Sequence, residues 1–423
     1  MSYCGKRFYS KITDIFSAIH PIYLTTHFLG LSSYKVSEIN NKKCYKSTIL
    51  MSIKAFIQFG FLIAFVSYNL TFQETPKDSN SIADNITYYQ DIMTCTLSVA
   101  NVGFGLIFTK KMCKIINRLH EIDLEFESLG VQRDYRKTYL KCFLSTLMAF
   151  FSIVGYLGFM VYIAKDVSGI FFFTCLSNYY PYFLNIVVEL QYANYATIIG
   201  DKYKILNNYL EELFQNVHGA WFIESYKTPS KIQKPSKSDS DQSSWIDTVA
   251  RFHIKLANAA TFLNHAFRVQ LLLLISTSFV GIVSSLFLIA INFKDSEDED
   301  ENTKNWNYMF TTWAFTNALA LVVIVHTTSR ICDEANRCPK ILHAIRNKTA
   351  DSKLHETIEM YSLQMYHNRL QFDVCGLFSL DYTLLYTIVA SVTTHLVILI
   401  QFNSGQHQSV SKTSTNNNSL QQT

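Results

Sequence analysis

The sequence predicts an all-α membrane protein: seven transmembrane helices, the N-terminus cytosolic and the C-terminus extracellular, with helices that extend into the cytoplasm. Three observations carry that reading. Only 17% of the 423 residues are charged and 49% are hydrophobic, where a soluble globular chain carries about 25% charged residues. Long charge-free windows recur along the chain, and basic residues crowd alternate connections between them. With 32 Phe and 25 Tyr the chain is too aromatic for disorder. A net charge of +4, spread over short blocks, gives nucleic acid no footprint.

Residues 1–54 read as a cytoplasmic segment. The window 15–34 lacks charge but holds His20, Pro21 and His27 and is basic on both flanks, with Lys6, Arg7 and Lys11 before it and Lys35, Lys42, Lys43 and Lys46 after. Crossing would leave one basic flank on the wrong side, so an interfacial helix is expected there. The seven windows are 55–73, 92–109, 142–164, 167–188, 269–293, 305–329 and 382–402. An ionised side chain at the bilayer centre costs at least about 2.5 kcal/mol. At roughly 1.5 Å per residue even the shortest window covers most of a core about 30 Å thick.

The layout is then spans one to four in 55–200, with an intracellular loop at 110–141, and cytoplasmic helices in 201–268 around a mobile loop at 227–244. Spans five and six follow in 269–329, cytoplasmic helices in 330–381, the last span in 382–402 and a disordered extracellular tail in 403–423. Orientation follows from Lys110, Lys111, Lys114 and Arg118 after span two and from Arg330, Arg337, Lys340 and Arg346 after span six, against the acidic run 295–301 after span five. No signal peptide is expected, because the first span itself directs insertion. The sequon Asn85-Ile86-Thr87 falls in the first outer loop, as a glycosylation acceptor requires. None of the nine cysteines falls in an outer loop, so no extracellular disulfide is expected. Cys332 and Cys338 lack a second pair, which leaves no metal site, and no cofactor motif is present.

Apolar stripes at helical spacing mark the cytoplasmic helices. They are Ile115, Ile116, Leu119 and Ile122; Leu206, Leu210 and Leu213; Trp245 through Phe267 by steps of three and four; and Leu354, Ile358, Tyr361 and Met365. Their faces need partners within the subunit, between subunits, or both.

Gln401 closes an otherwise apolar helix, where a carboxamide needs water or a partner. Thr394, Val397 and Ile398 share its face by helical spacing. A ring of such faces would make a pore with an apolar constriction; the alternative is a Gln that snorkels at the interface. The stretch Thr394-His395-Leu-Val-Ile-Leu-Ile-Gln401-Phe402 resembles the closing signature of insect gustatory receptors, Thr-Tyr, five hydrophobic residues, Gln-Phe. The preceding Phe372-Asp-Val-Cys375-Gly376-Leu-Phe378-Ser-Leu380-Asp381 is similar to the segment that leads into it. The specific motif covers about thirty residues, and the layout matches over the whole chain. The resemblance implies a tetrameric tastant-gated cation channel of the plasma membrane, homomeric or formed with related receptors. Residues 330–381 would be its cytoplasmic anchor, the last helix would line the pore, and Gln401, Thr394, Val397, Ile398 and Phe402 would stand at the gate. The family's Tyr is His395 here, whose ordinary pKa near 6.5 suits a pH-sensitive position; the other reading is a neutral His held by hydrogen bonds.

A ligand site is expected where aromatic and amide groups share helix faces that lipid cannot satisfy. Span six offers Trp306, Phe310, Trp313 and Asn317, and span four offers Thr174, Asn178, Tyr182 and Asn185 beside Pro181, which is expected to interrupt that helix. Tyr156 of span three and Tyr88 and Asp91 at span two complete the set, while Glu189, at the inner end of span four, is read as a cytosolic-interface or interhelical group. The expected partners are a small tastant such as a sugar, a bitter compound or another nutrient, with permeant cations and membrane lipids. Alternatives are a seven-helix receptor signalling through a partner protein and an obligate co-receptor subunit. A G-protein-coupled type is disfavoured by the cytosolic N-terminus and by Asp134-Tyr135-Arg136 standing out of order before span three. No catalytic constellation marks an enzyme: His355-Glu356 lacks the second His of a metalloprotease helix.

Overall fold

Spans and cytoplasmic helices that the sequence separates are continuous in the protein. A computed structural model describes residues 12–39, 42–72, 82–131, 133–164, 169–218, 239–295, 301–347 and 352–420. Two short helices, α1 (Ile15–Ala18) and α2 (His20–Phe28), lead into a hairpin of β1 (Tyr34–Ile39) and β2 (Lys42–Ser47). Long helices follow: α3 (Ile49–Phe72), α4 (Ile82–Ser128), α5 (Tyr135–Ala164), α6 (Gly169–His218), α7 (Asp239–Asp295) and α8 (Glu301–Arg346). The chain continues through α9 (Ser352–His367), a small hairpin of β3 (Asp373–Val374) and β4 (Phe378–Ser379), and α10 (Tyr382–Leu420).

Among the described residues, six helices are long and apolar enough to cross a membrane, in 49–68, 85–128, 135–162, 244–293, 303–346 and 382–404. The fourth expected span runs through α6, where residues 165–168 and most side chains up to residue 178 lie outside the described set. Several expectations are corrected. The fold is not purely helical, since two antiparallel hairpins flank the bundle. Pro181 sits inside an unbroken α6. The loop expected as far as Ser244 is helical from Asp239, and the tail expected to be disordered from Asn403 continues α10 to Leu420. Ser, Thr and Gln are permissive enough in a helix to extend one already nucleated.

The first hairpin seals the N-terminal segment into the protein. Asn117 of α4 imitates a neighbouring strand, accepting from the Tyr45 amide at 2.8 Å and donating to its carbonyl at 3.0 Å. The hydroxyls of Tyr34 and Tyr195 meet at 3.0 Å. Gly105 of α4 is required here, because a Cβ would fall 2.5 Å from the Leu31 carbonyl oxygen. Ile15, Phe16, Ile19 and Ile22 are buried while Leu24 and Phe28 are exposed. The segment expected at the membrane surface is thus packed inward on one face.

Two halves emerge. The base comprises 111–128 of α4, 200–218 of α6, 239–268 of α7, 330–346 of α8, and α9. Every stripe read from the sequence buries there: Ile116, Leu206, Leu210, Leu256, Leu263, Leu354 and Ile358 are all fully buried. Leu213 has its side chain outside the described set. At the centre of the base Asp123 pairs with Lys202 of α6, and Arg133 approaches the same carboxylate at 3.3 Å. Burial alone would raise the Asp123 carboxyl, but Lys202 and Arg133 outweigh it and hold the pKa below the ordinary 3.8. The apolar half is the reverse. Met148, Phe151 and Tyr162 of α5 are 60% to 66% exposed, as a lipid-facing surface allows.

Candidate functional site

In the apolar half α4, α6, α7 and α8 enclose a cavity of about 30 Å³. Its aromatic wall is continuous. Tyr182 packs against Trp313 with ring centres 4.7 Å apart, Tyr179 lies 5.6 Å from Tyr182, and Tyr156 stacks on Tyr179 at 4.3 Å. Polar groups close the rest. Asn317 donates to the Tyr182 hydroxyl at 3.3 Å and to the Trp313 carbonyl at 2.9 Å. Asn101 donates to the Asn185 side chain at 2.9 Å, and Ser284 donates to Gln90 at 2.8 Å. Gly281 allows α7 to close on α8, since a Cβ there would stand 3.2 Å from the Asn317 amide nitrogen.

Of the ligand residues expected from sequence, Trp313, Asn317 and Tyr182 line this cavity and Tyr156 backs its aromatic wall. Trp306 and Phe310 stack on each other at 6.1 Å farther along α8, and Tyr88 packs edge-on against Tyr89. Those three and Asp91 are not part of the lining. Stepping by helical spacing finds one face, but a cavity takes only the few residues at one depth of that face. Thr174 and Asn178 lie on α6 with side chains outside the described set. Asn185, expected on the same stripe of span four, also lines the cavity, as does Glu189, which sequence reasoning set apart from the ligand contacts; Gln90, Thr94 and the whole α7 contribution of Thr277, Ser278 and Gly281 were missed. The signal for α7 was its run of small residues, Ser276 to Ser278, Gly281 and Ser284, the composition that lets membrane helices approach closely.

The last helix is held at its base and bare above it. β3 and β4 join through residues 375–377, in which Cys375 and Gly376 have φ of 53° and 72° and the Leu377 amide donates to the Val374 carbonyl at 2.9 Å. Successive left-handed residues define a type I′ turn, so the motif Phe372–Asp381 is a hairpin. Phe372, Val374 and Leu380 are buried beneath it. Asp381 caps α10, accepting from the Thr383 amide at 2.9 Å. Thr328 of α8 donates to the Leu380 carbonyl at 3.0 Å, and His326 meets the Tyr382 hydroxyl at 2.8 Å. Leu384, Ile388 and Val392 turn into the bundle, whereas Thr394, Val397, Ile398, Gln401 and Phe402 are exposed. His395 donates through Nδ1 to the Ser391 carbonyl at 2.7 Å and sets its ring edge-on to Phe279 of α7, so it leaves the face of Gln401. Asn85 stands in the first turns of α4.

Apolar helices long enough to cross a membrane, bundled around a small aromatic and amide cavity, mark a multi-pass membrane protein. The chain belongs to the 7tm chemosensory receptor family, whose profile matches residues 19–405. It is similar to gustatory receptor 28a of Drosophila melanogaster, 25% identical over 97% of this chain and 96% of that one. It is also similar to gustatory receptor 28b of the same organism, 23% identical over 94% of this chain and 88% of that one. Its fold matches the insect olfactory receptor OR5 of Machilis hrabei, solved alone and in complex with eugenol. The TM-scores are 0.64 and 0.63, at 12% identity, with 91% of this chain and 97% of that one covered. The family is one of receptors, and the chain is accordingly no enzyme.

Proposed function

We propose that the chain is a tastant-gated, non-selective cation channel of the plasma membrane of chemosensory cells, assembled from four subunits, identical or mixed with related receptors. One observation carries this. The end of α10 leaves Val397, Ile398 and Phe402 uncovered by its own chain while its opposite face is packed, and Gln401 lies among them. Four copies of that face around an axis cover one another and form an apolar constriction that shuts by dewetting. The alternation of basic and acidic connections supports a cytosolic N-terminus and an extracellular C-terminus, which makes Asn85 a glycosylation site. Opening is mechanical. A ligand entering beside Trp313 and Asn317 displaces α8, and α8 carries α10 through Thr328–Leu380 and His326–Tyr382. His395 acts, if protonated, through its contact with Phe279 rather than as a pore group.

The test is tastant-evoked current in excised patches without nucleotides, from cells expressing this chain. Wild type conducts, and Ile398→Asn, which wets the constriction, conducts without ligand. A silent wild type, or a response that needs nucleotide, overturns the proposal.

A further inference from the structure

Among the described residues that line the cavity, Glu189 is the one acidic side chain, and no Lys, Arg or His joins it. Glu189 makes no hydrogen bond or ion pair among the described residues. An ionised carboxylate inside a helix bundle without a counter-charge is unfavourable. A ligand that brings its own positive nitrogen supplies the missing partner. The wall suits such a ligand, because Tyr182 and Trp313, packed on each other with ring centres 4.7 Å apart, are aromatic rings whose quadrupoles attract cations. The amide oxygens of Asn185 and Gln90 lie on the same lining as further acceptors. Anions meet the opposite: a carboxylate in the wall and no cation to bind.

We propose that the cavity selects small ligands bearing a protonated amine, with Glu189 as their counter-ion and Tyr182 and Trp313 as the walls around the charged nitrogen. This rests on reading the cavity as the tastant site. At about 30 Å³ the cavity has room for little more than a water or two. An amine therefore enters by parting α6, α7 and α8, which is the displacement that gating needs.

The experiment compares phenethylamine with 2-phenylethanol, near-isosteres that differ in charge, on the purified full chain in lipid nanodiscs. Equilibrium dialysis gives binding and patch recording gives current. Wild type binds the amine at least tenfold tighter than the alcohol. Glu189→Gln, which keeps shape and hydrogen bonding, abolishes that preference. Equal binding of amine and alcohol by wild type, or an undiminished preference in Glu189→Gln, overturns the inference. If the variant fails to fold, the wild-type comparison decides alone. Selective amine binding with no current from any compound fails the channel reading and keeps this one. Current evoked by neutral tastants with no amine preference does the reverse.

Discussion

The base and the apolar half of this protein are built from the same helices and held together differently. In the base, water drives apolar stripes inward, and ion pairs such as Arg330–Asp201 at 2.9 Å and Arg337–Glu211 at 2.7 Å decorate the surface. In the apolar half, lipid is as apolar as leucine and gives no such drive. What joins the helices there is close approach at Gly281 and amide bonds such as Asn101–Asn185. Half of the apolar window of α7, which threads both regions, is buried, against 6% for α5. A tightly packed base beside a loosely joined upper bundle is the arrangement a receptor needs, because the ligand must move the upper helices without unfolding the lower ones.

The contrast can be broken most sharply at Asp123. Asp123→Asn leaves Lys202 buried without a counter-charge and lowers stability by about 3–5 kcal/mol, read as a fall in melting temperature in detergent. The same group sets an acid limit. Its folded pKa lies below 3.8, so its contribution is whole above that pH and disappears as pH falls through the folded value. Wild-type stability should therefore drop steeply there, and the Asn variant should lack that component. Leu256→Ala, at a fully buried site in the base, costs about 2–5 kcal/mol in the same melt. In the apolar half Asn101→Leu removes one interhelical amide bond, and the expected loss is only about 0.6 kcal/mol; a loss as large as that of Leu256→Ala would erase the contrast. Met148→Ala, on the exposed face of α5, should change stability by less than about 0.5 kcal/mol.

Much of the base was legible because its signal is local. Ile116, Leu206, Leu256 and Ile358 each recur at helical spacing within their own segment, and a water-facing helix must bury such a stripe. The hairpins left weaker traces. Tyr34, Val36 and Glu38 alternate with their neighbours over only six residues, too short a run to outweigh the helical surroundings. The cavity was half legible. Trp313, Asn317 and Tyr182 are polar or aromatic groups that lipid would not favour, so they had to face inward. Glu189 was set apart from the ligand contacts because its depth was counted along one span, whereas α6 runs unbroken past it and brings it to the lining beside Ala320 and Leu274.

By itself the sequence determined the six apolar helices long enough to cross a membrane among the described residues, the stripes that bury in the base, and the signature at Thr394 to Phe402. Each depends on spacing along one segment, and helix geometry translates spacing into faces without help from the rest of the chain. Only the tertiary structure decided which polar groups share the cavity, that α7 closes on α8 at Gly281, and that the Asp381 end of α10 is fastened to α8. Those depend on where four helices cross, and crossing points are set by packing among residues far apart in the chain.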